Sequence, residues 1–227
     1  MAYNIVRKGG IPAWACAAFE GKSSVEEARA CSLVIEHSEV DRRATISLIF
    51  SLPLDDPDDK QAFALLYDAD NLMPGVTWLG DPTTRVSPPL MDAINRHGNI
   101  RIKMLSLALK TYCPVLCPRS LENLQPARGL KAAFDRFVDL AKATEVQILF
   151  DYNWVHRRHH ARLERVVQHP EEFSGFRNGN NHTYSFELVD WTVFGPGEES
   201  VDGAPPSYVE AASNKRPRQG RSLVSAA

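Results

Sequence analysis

Residues 66–72 read Leu-Tyr-Asp-Ala-Asp-Asn-Leu. Asp68, Asp70 and Asn71 offer the oxygen ligands that hard divalent cations prefer. Asp151 stands in a similar place, closing the apolar run of ILFDYN. Open α/β sheets hold ligands beyond the carboxyl ends of their strands. If the two strands are neighbours, Asp68, Asp70, Asn71 and Asp151 converge. That is the minimum for metal-assisted phosphodiester hydrolysis, in which the ion activates water and stabilises developing charge. The competing use of Asp68, Asp70 and Asn71 is a turn before Met73-Pro74-Gly75, work that Asp and Asn do through their own backbone hydrogen bonds.

A second constellation is basic. The segment 156–168 reads HRRHHARLERVVQ and carries Arg157, Arg158, Arg162 and Arg165. On a helix these cations could touch phosphates, with Tyr152 or Trp154 nearby for base stacking. His156 and His160 are four apart, the spacing at which a helix can share a zinc ion. However, Arg157 stands where the HExxH pattern needs glutamate, and four arginines crowd a cation. A basic, solvent-facing helix is the plainer reading.

The four cysteines are Cys16, Cys31, Cys113 and Cys117. Cys113 and Cys117 are each followed by proline, and no second close pair completes a four-cysteine zinc site. Reduced, partly buried thiols are expected. No G-x-S-x-G, P-loop or G-x-G-x-x-G occurs, so serine hydrolase, P-loop and dinucleotide readings lack support. With net charge −2, no global field holds nucleic acid, and such binding needs a local patch.

Two short motifs lie near the C-terminus. Pro205-Pro206-Ser207-Tyr208 matches PPxY, similar to the ligand motif of WW domains. Two prolines pre-order a polyproline II turn and the tyrosine fills an aromatic groove. Lys215-Arg216-Pro217-Arg218 fits the basic pattern read by nuclear import receptors. The plainer alternatives are a low-complexity spacer and a solvated charge cluster.

The elements that must position these residues follow from hydrophobic pattern. Strands are expected at 31–37, 44–52, 62–69, 100–109 and 144–152, the last with an unbroken apolar centre that suits burial on both faces. Strands 44–52 and 62–69 should pair antiparallel across an acidic turn. Helices are expected at 87–98, with Ser87 as N-cap, Pro88 in the first turn and Gly98 as stop, at 128–143 and at 156–168. Leu130, Phe134, Phe137, Val138 and Ala141 make the apolar stripe of the second. A short helix starts at Ser24, where Ser-Val-Glu-Glu resembles a capping box. An edge strand fits within 182–194. The expected fold is α/β, or mixed α+β. Its single mixed sheet has N-terminal antiparallel strands followed by strand–helix–strand units, whose neighbours run parallel through right-handed crossovers. Residues 1–194 form one domain and 195–227, poor in large apolar residues, a disordered tail.

LYDADNL also resembles the opening signature of NYN/PIN-type ribonucleases, a hydrophobic strand followed by D-x-D-N. The resemblance covers about ten residues. It implies a metal-dependent nuclease with Asp68, Asp70 and Asn71 at the ion, and Mg2+ or Mn2+ as cofactor. Two expected strands precede the motif here, whereas the family opens on it. LLYDADNLMPG, ILFDYNWVH and the APPSY-basic ending resemble segments of filamentous-fungal proteins. That resemblance implies a eukaryotic intracellular setting and carries no activity.

The leading expectation is a non-catalytic intracellular interaction protein, nuclear or cytoplasmic, with no cofactor and no membrane segment. A WW-domain protein and an import receptor are its expected partners. The alternatives are the nuclease and a nucleic-acid-binding module using the basic helix.

Overall fold

The computed structural model describes residues 3–7, 9–19, 22–23, 28–53, 60–96, 98–119, 131–176 and 186–194. By contacts the chain divides into Met1–Gly195 and Pro196–Ala227, and the described residues all lie in the first unit. The strands are β1 (Tyr3–Asn4), β2 (Ile11–Phe19), β3 (Lys22–Ser23), β4 (Arg29–Ser38), β5 (Arg43–Pro53), β6 (Lys60–Asp68), β7 (Trp78–Gly80), β8 (Ile102–Ala108), β9 (Val115–Pro118), β10 (Glu145–Asp151) and β11 (Phe186–Val189). The helices are α1 (Pro88–Ile94), α2 (Lys131–Lys142) and α3 (His160–Gln168). No helix among the described residues is long and apolar enough to cross a membrane.

One sheet runs in the order β11-β9-β6-β5-β4-β2-β10-β8-β7, with β1 beside β4 and β3 beside β2. The expected β5–β6 pair is there, with Thr45 opposite Asp68 and Pro53 opposite Lys60. Every pairing between named strands is antiparallel. This corrects the expected parallel strand–helix–strand units. The pattern also did not reveal β9, a four-residue strand that follows Pro114 and ends at Pro118. Strand β9 runs on in the direction of β8, because both lie antiparallel to the β6 segment. The chain therefore reverses only once on its way from β8 to β10, and β10 returns antiparallel to β8, where a parallel unit needs two reversals.

The second correction is β2. Its alanine-rich sequence and Pro12 argue against a strand, yet it lies in the middle of the sheet between β4 and β10. Pro12 sits just outside the stretch Ala13–Ala17 that pairs with β10, which is where a strand tolerates a missing N–H. Gly10, at φ +86°, makes the turn into it, and a Cβ there would press on Ser32 and the Leu33 carbonyl. The Ser24 helix start lies outside the described residues.

Alternation puts Ile11, Ala13, Ala15, Leu33, Ile35, Ile46, Leu48, Phe50, Phe63, Leu65, Tyr67, Leu105, Leu107, Val146, Ile148 and Phe150 into one buried cluster. That cluster takes residues from strands at both ends of the path because the sheet rolls up. Past the end of β6, Leu72 bridges Leu109 just past β8, and Met73 N–H donates to the Ala108 carbonyl at 2.8 Å. The expected stripe of α2 lies against this core. Phe137 is fully buried and meets Phe50, Phe63 and Phe194 with ring centroids 5.3, 5.6 and 5.5 Å apart. Such edge-on pairs add to area burial. Leu130 lies outside the described residues.

The outer face of β10 is also covered, as its unbroken apolar run suggested. Leu149 packs with Val86 and Met104 under Leu90 and Met91 of α1. Helix α1 is shorter than its pattern: it ends at Ile94 with Asn95 as its C-cap, and Gly98 (φ +75°) serves the following turn instead, its N–H donating to Asn95 Oδ1 at 2.9 Å. β11 takes the expected edge position.

Candidate functional site

Asp68 is the last residue of β6 and points to the outer face, since Phe63, Leu65 and Tyr67 fill the inner one. Thr45, its cross-strand partner, donates its hydroxyl to Asp68 Oδ1 at 2.6 Å. The same hydroxyl accepts Phe176 N–H at 3.0 Å. Gly175 lies so close that a Cβ on it would overlap the Asp68 side chain. Asp68 thus pins the 174–176 segment to the end of the β5–β6 pair.

Asp70 and Asn71 lie in the 3-10 turn Ala69–Asn71. The Asn71 side chain donates to the Thr111 carbonyl at 3.0 Å and accepts Thr111 N–H at 3.1 Å. It imitates a strand-pair residue and extends the closure begun at Leu72. Lys110 donates to the Asp70 carbonyl at 2.7 Å.

Asp151 is fully buried. Its Oδ1 accepts the N–H groups of Arg101 and Asn153, both at 3.0 Å, and its Oδ2 accepts that of Arg96 at 3.1 Å. Three backbone donors satisfy the charge, as a buried carboxylate requires. Strands β5, β4 and β2 separate Asp68 from Asp151, and both residues face outward, where side chains on a rolled sheet splay apart. The structure does not bring the two carboxylates together. Among the described residues, no group of three or more His, Cys, Asp or Glu is placed to hold a metal ion.

The basic segment is not one helix. His156 and its Nδ1 cap a 3-10 turn, Arg157–His159, and α3 begins only at His160. The turn breaks the four-residue spacing of His156 and His160. His160 instead stacks on Tyr152 with ring centroids 4.1 Å apart, and its Nε2 lies 3.0 Å from the Val155 carbonyl. Tyr152 is buried, and burial, then Glu164, pushes its hydroxyl up to about 12. The guanidiniums of Arg7 and Arg96 lie 4.7 and 5.0 Å from the Trp154 ring centroid. The two aromatics expected to stack on bases are therefore occupied by the protein itself.

The four arginines divide. Arg165 is spent on carboxylates: its Nε and Nη2 reach Glu172 at 2.8 and 2.5 Å, and its Nη1 reaches Glu39 at 2.7 Å. Arg157 is exposed. Arg158 and Arg162 converge on His159, a residue the pattern had not singled out. Arg158 Nε lies 3.1 Å from His159 Nε2, and Arg162 Nη1 lies 3.1 Å from His159 Nδ1. His159 is only 6% exposed. Burial, then Arg158, Arg162, His156 and His37, hold its pKa below the ordinary value. Asn4 of β1 joins Arg158, His159 and Arg162 around an open cleft of about 330 Å³.

All four cysteines are free thiols. Burial pushes Cys113 and Cys117 up to about 12 and raises Cys31 as well, which makes poor nucleophiles. Cys113 lies against the buried Tyr67 hydroxyl.

No protein-family model matches the chain. Comparison with curated proteins and with solved structures finds no match either.

The site residues that pattern reading missed are His159 and Asn4. His159 sat inside a visible run of basic residues, and the signal was that run's density. Asn4 carries no such signal, because it reaches the cleft only through pairing of β1 with β4. The residues 205–208 and 215–218 lie outside those described.

Proposed function

We propose that the protein is a non-catalytic intracellular interaction protein. Its folded domain carries a C-terminal segment that engages a WW-domain partner through Pro205, Pro206 and Tyr208. An import receptor reads Lys215, Arg216 and Arg218, and the protein enters the nucleus. The observation that carries this reading is the employment of the acidic residues. Asp151 is held by three backbone N–H groups, and Asp68 by Thr45 under the close approach of Gly175. An ion at Asp68, Asp70, Asn71 and Asp151 would have to replace those bonds, so the nuclease reading is the weaker one. The raised thiols argue in the same direction. Neither cofactor nor metal belongs to this reading.

The test is titration of the full chain against a WW domain of the PPxY-reading class. Saturable one-to-one binding that disappears in Tyr208→Ala is expected. A wild-type chain that fails to bind overturns the reading. Calorimetry of Mn2+ on the same chain separates the competitor, because ion binding lost in Asp68→Asn belongs to the nuclease alone.

A further inference from the structure

Trp154 carries two guanidiniums, Arg7 at 4.7 Å and Arg96 at 5.0 Å from its ring centroid. Two residues earlier, Tyr152 carries that of Arg101 at 5.2 Å. These three arginines are exposed, and so is Arg157, three residues beyond Trp154. The cations are held in place from beneath. Asp151 Oδ2 accepts the Arg96 N–H and Oδ1 that of Arg101, so one buried carboxylate fixes both backbones. Arg7 Nε donates to the Gly10 carbonyl at 2.8 Å, and Arg96 Nη1 donates to the Asn153 carbonyl. A guanidinium has five N–H donors, so one carbonyl and one aromatic face leave most of them for solvent. Among the described residues, no carboxylate side chain is paired with Arg7, Arg96, Arg101 or Arg157. Asp81, within the field of Arg101, accepts from Lys103 Nζ at 2.8 Å, and Glu164 accepts the Tyr152 hydroxyl at 3.4 Å.

We propose that this corner, Arg7, Arg96, Arg101 and Arg157 around Tyr152 and Trp154, binds the sugar–phosphate backbone of a DNA duplex. With net charge −2 the chain as a whole does not attract a polyanion, so attraction rests on this local patch. Guanidinium forks match phosphate oxygens in pairs. Four exposed cations on one surface meet a row of phosphates rather than a single small anion. The rings that could stack on unpaired bases are covered by Arg7, Arg96, Arg101 and His160. A single strand gains nothing there from its open bases. A duplex presents its phosphates outward and at twice the charge density of one strand. Contacts of this kind carry no sequence information, so binding is indifferent to base sequence.

The proposal is independent of residues 205–218, and its test uses the full chain. A fluorescent DNA duplex, an oligothymidylate of the same length and polyglutamate are titrated by anisotropy over a range of salt. The duplex is expected to bind with a dissociation constant of roughly 10⁻⁴–10⁻⁶ M near physiological salt, and about four neutralised phosphates set a log–log salt slope of about −3 to −4. Arg7→Gln, Arg96→Gln and Arg101→Gln each lower that slope by about one and weaken binding about threefold or more. Glutamine at 96 or 101 keeps the backbone N–H bonded to Asp151, and the far-ultraviolet spectrum checks each fold. Arg165→Gln leaves binding unchanged. So does replacement of Lys215, Arg216 and Arg218 together by glutamine. Binding that vanishes with those three and survives the combined Arg7→Gln, Arg96→Gln and Arg101→Gln variant overturns the proposal. Tighter binding of the single strand, equal binding of polyglutamate, or no duplex binding at low salt overturns it as well.

Discussion

Asp151 and His159 are both buried, both ionisable and eight residues apart in the chain, yet their surroundings are opposite. The Asp151 carboxylate meets three backbone N–H donors, and each bond also holds a piece of chain in place: the turn at Asn153 and the segment Arg96–Arg101 that follows α1. His159 meets two guanidiniums, groups of the sign it would itself carry when protonated. A buried charge matched by backbone becomes part of the architecture. A buried base faced by cations is held in its neutral form. The difference separates a carboxylate whose surroundings favour its charge from an imidazole whose surroundings oppose one.

The largest effect should come from removing the matched group. Asp151→Ala strands three backbone donors and is expected to cost on the order of 3–5 kcal/mol of unfolding free energy in urea titration. A loss below about 1 kcal/mol would mean that water replaces the carboxylate and that the corner is not structural.

The intermediate effect is pH dependence. Burial holds the pKa of His37 and of His159 below 6.5, with Arg162 and Arg165 adding to the effect at His37 against the opposing pull of Glu39. The unfolded chain therefore takes up protons first as pH falls. Stability is full above 6.5 and declines as pH drops through 6.5 towards the depressed folded values. Urea midpoints measured across this range read the sign, and a midpoint rising on acidification contradicts it.

The smallest effect should fall on the open corner. Arg158→Gln is expected to leave unfolding free energy within about 0.5 kcal/mol of wild type, as for exposed positions generally. A cost as large as that of Asp151→Ala would erase the contrast and make the basic cluster structural too.

Strands β4, β5, β6 and β10 were readable because β-branched and aromatic runs carry their own period. The stripe of α2 was readable for the same reason. Strand β2 was not, since alanine and Pro12 give it little intrinsic preference and its two neighbours come from distant parts of the chain. Strand β9 was hidden by its length and flanking prolines.

The candidate sites divide along the same line. Sequence alone determined that Asp68 and Asp151 close strands, that 156–165 is strongly basic, and that 205–218 holds two short motifs. Those are properties of neighbours along the chain. Tertiary structure decided which carboxylate would be consumed by backbone donors from residues 96 and 101, and which arginine would be spent on Glu39 and Glu172. It also brought Asn4 to the cleft beside Arg158, His159 and Arg162. The physical reason is range: periodicity and turn chemistry act over a few residues, whereas charge compensation depends on whichever segments the rolled sheet packs together.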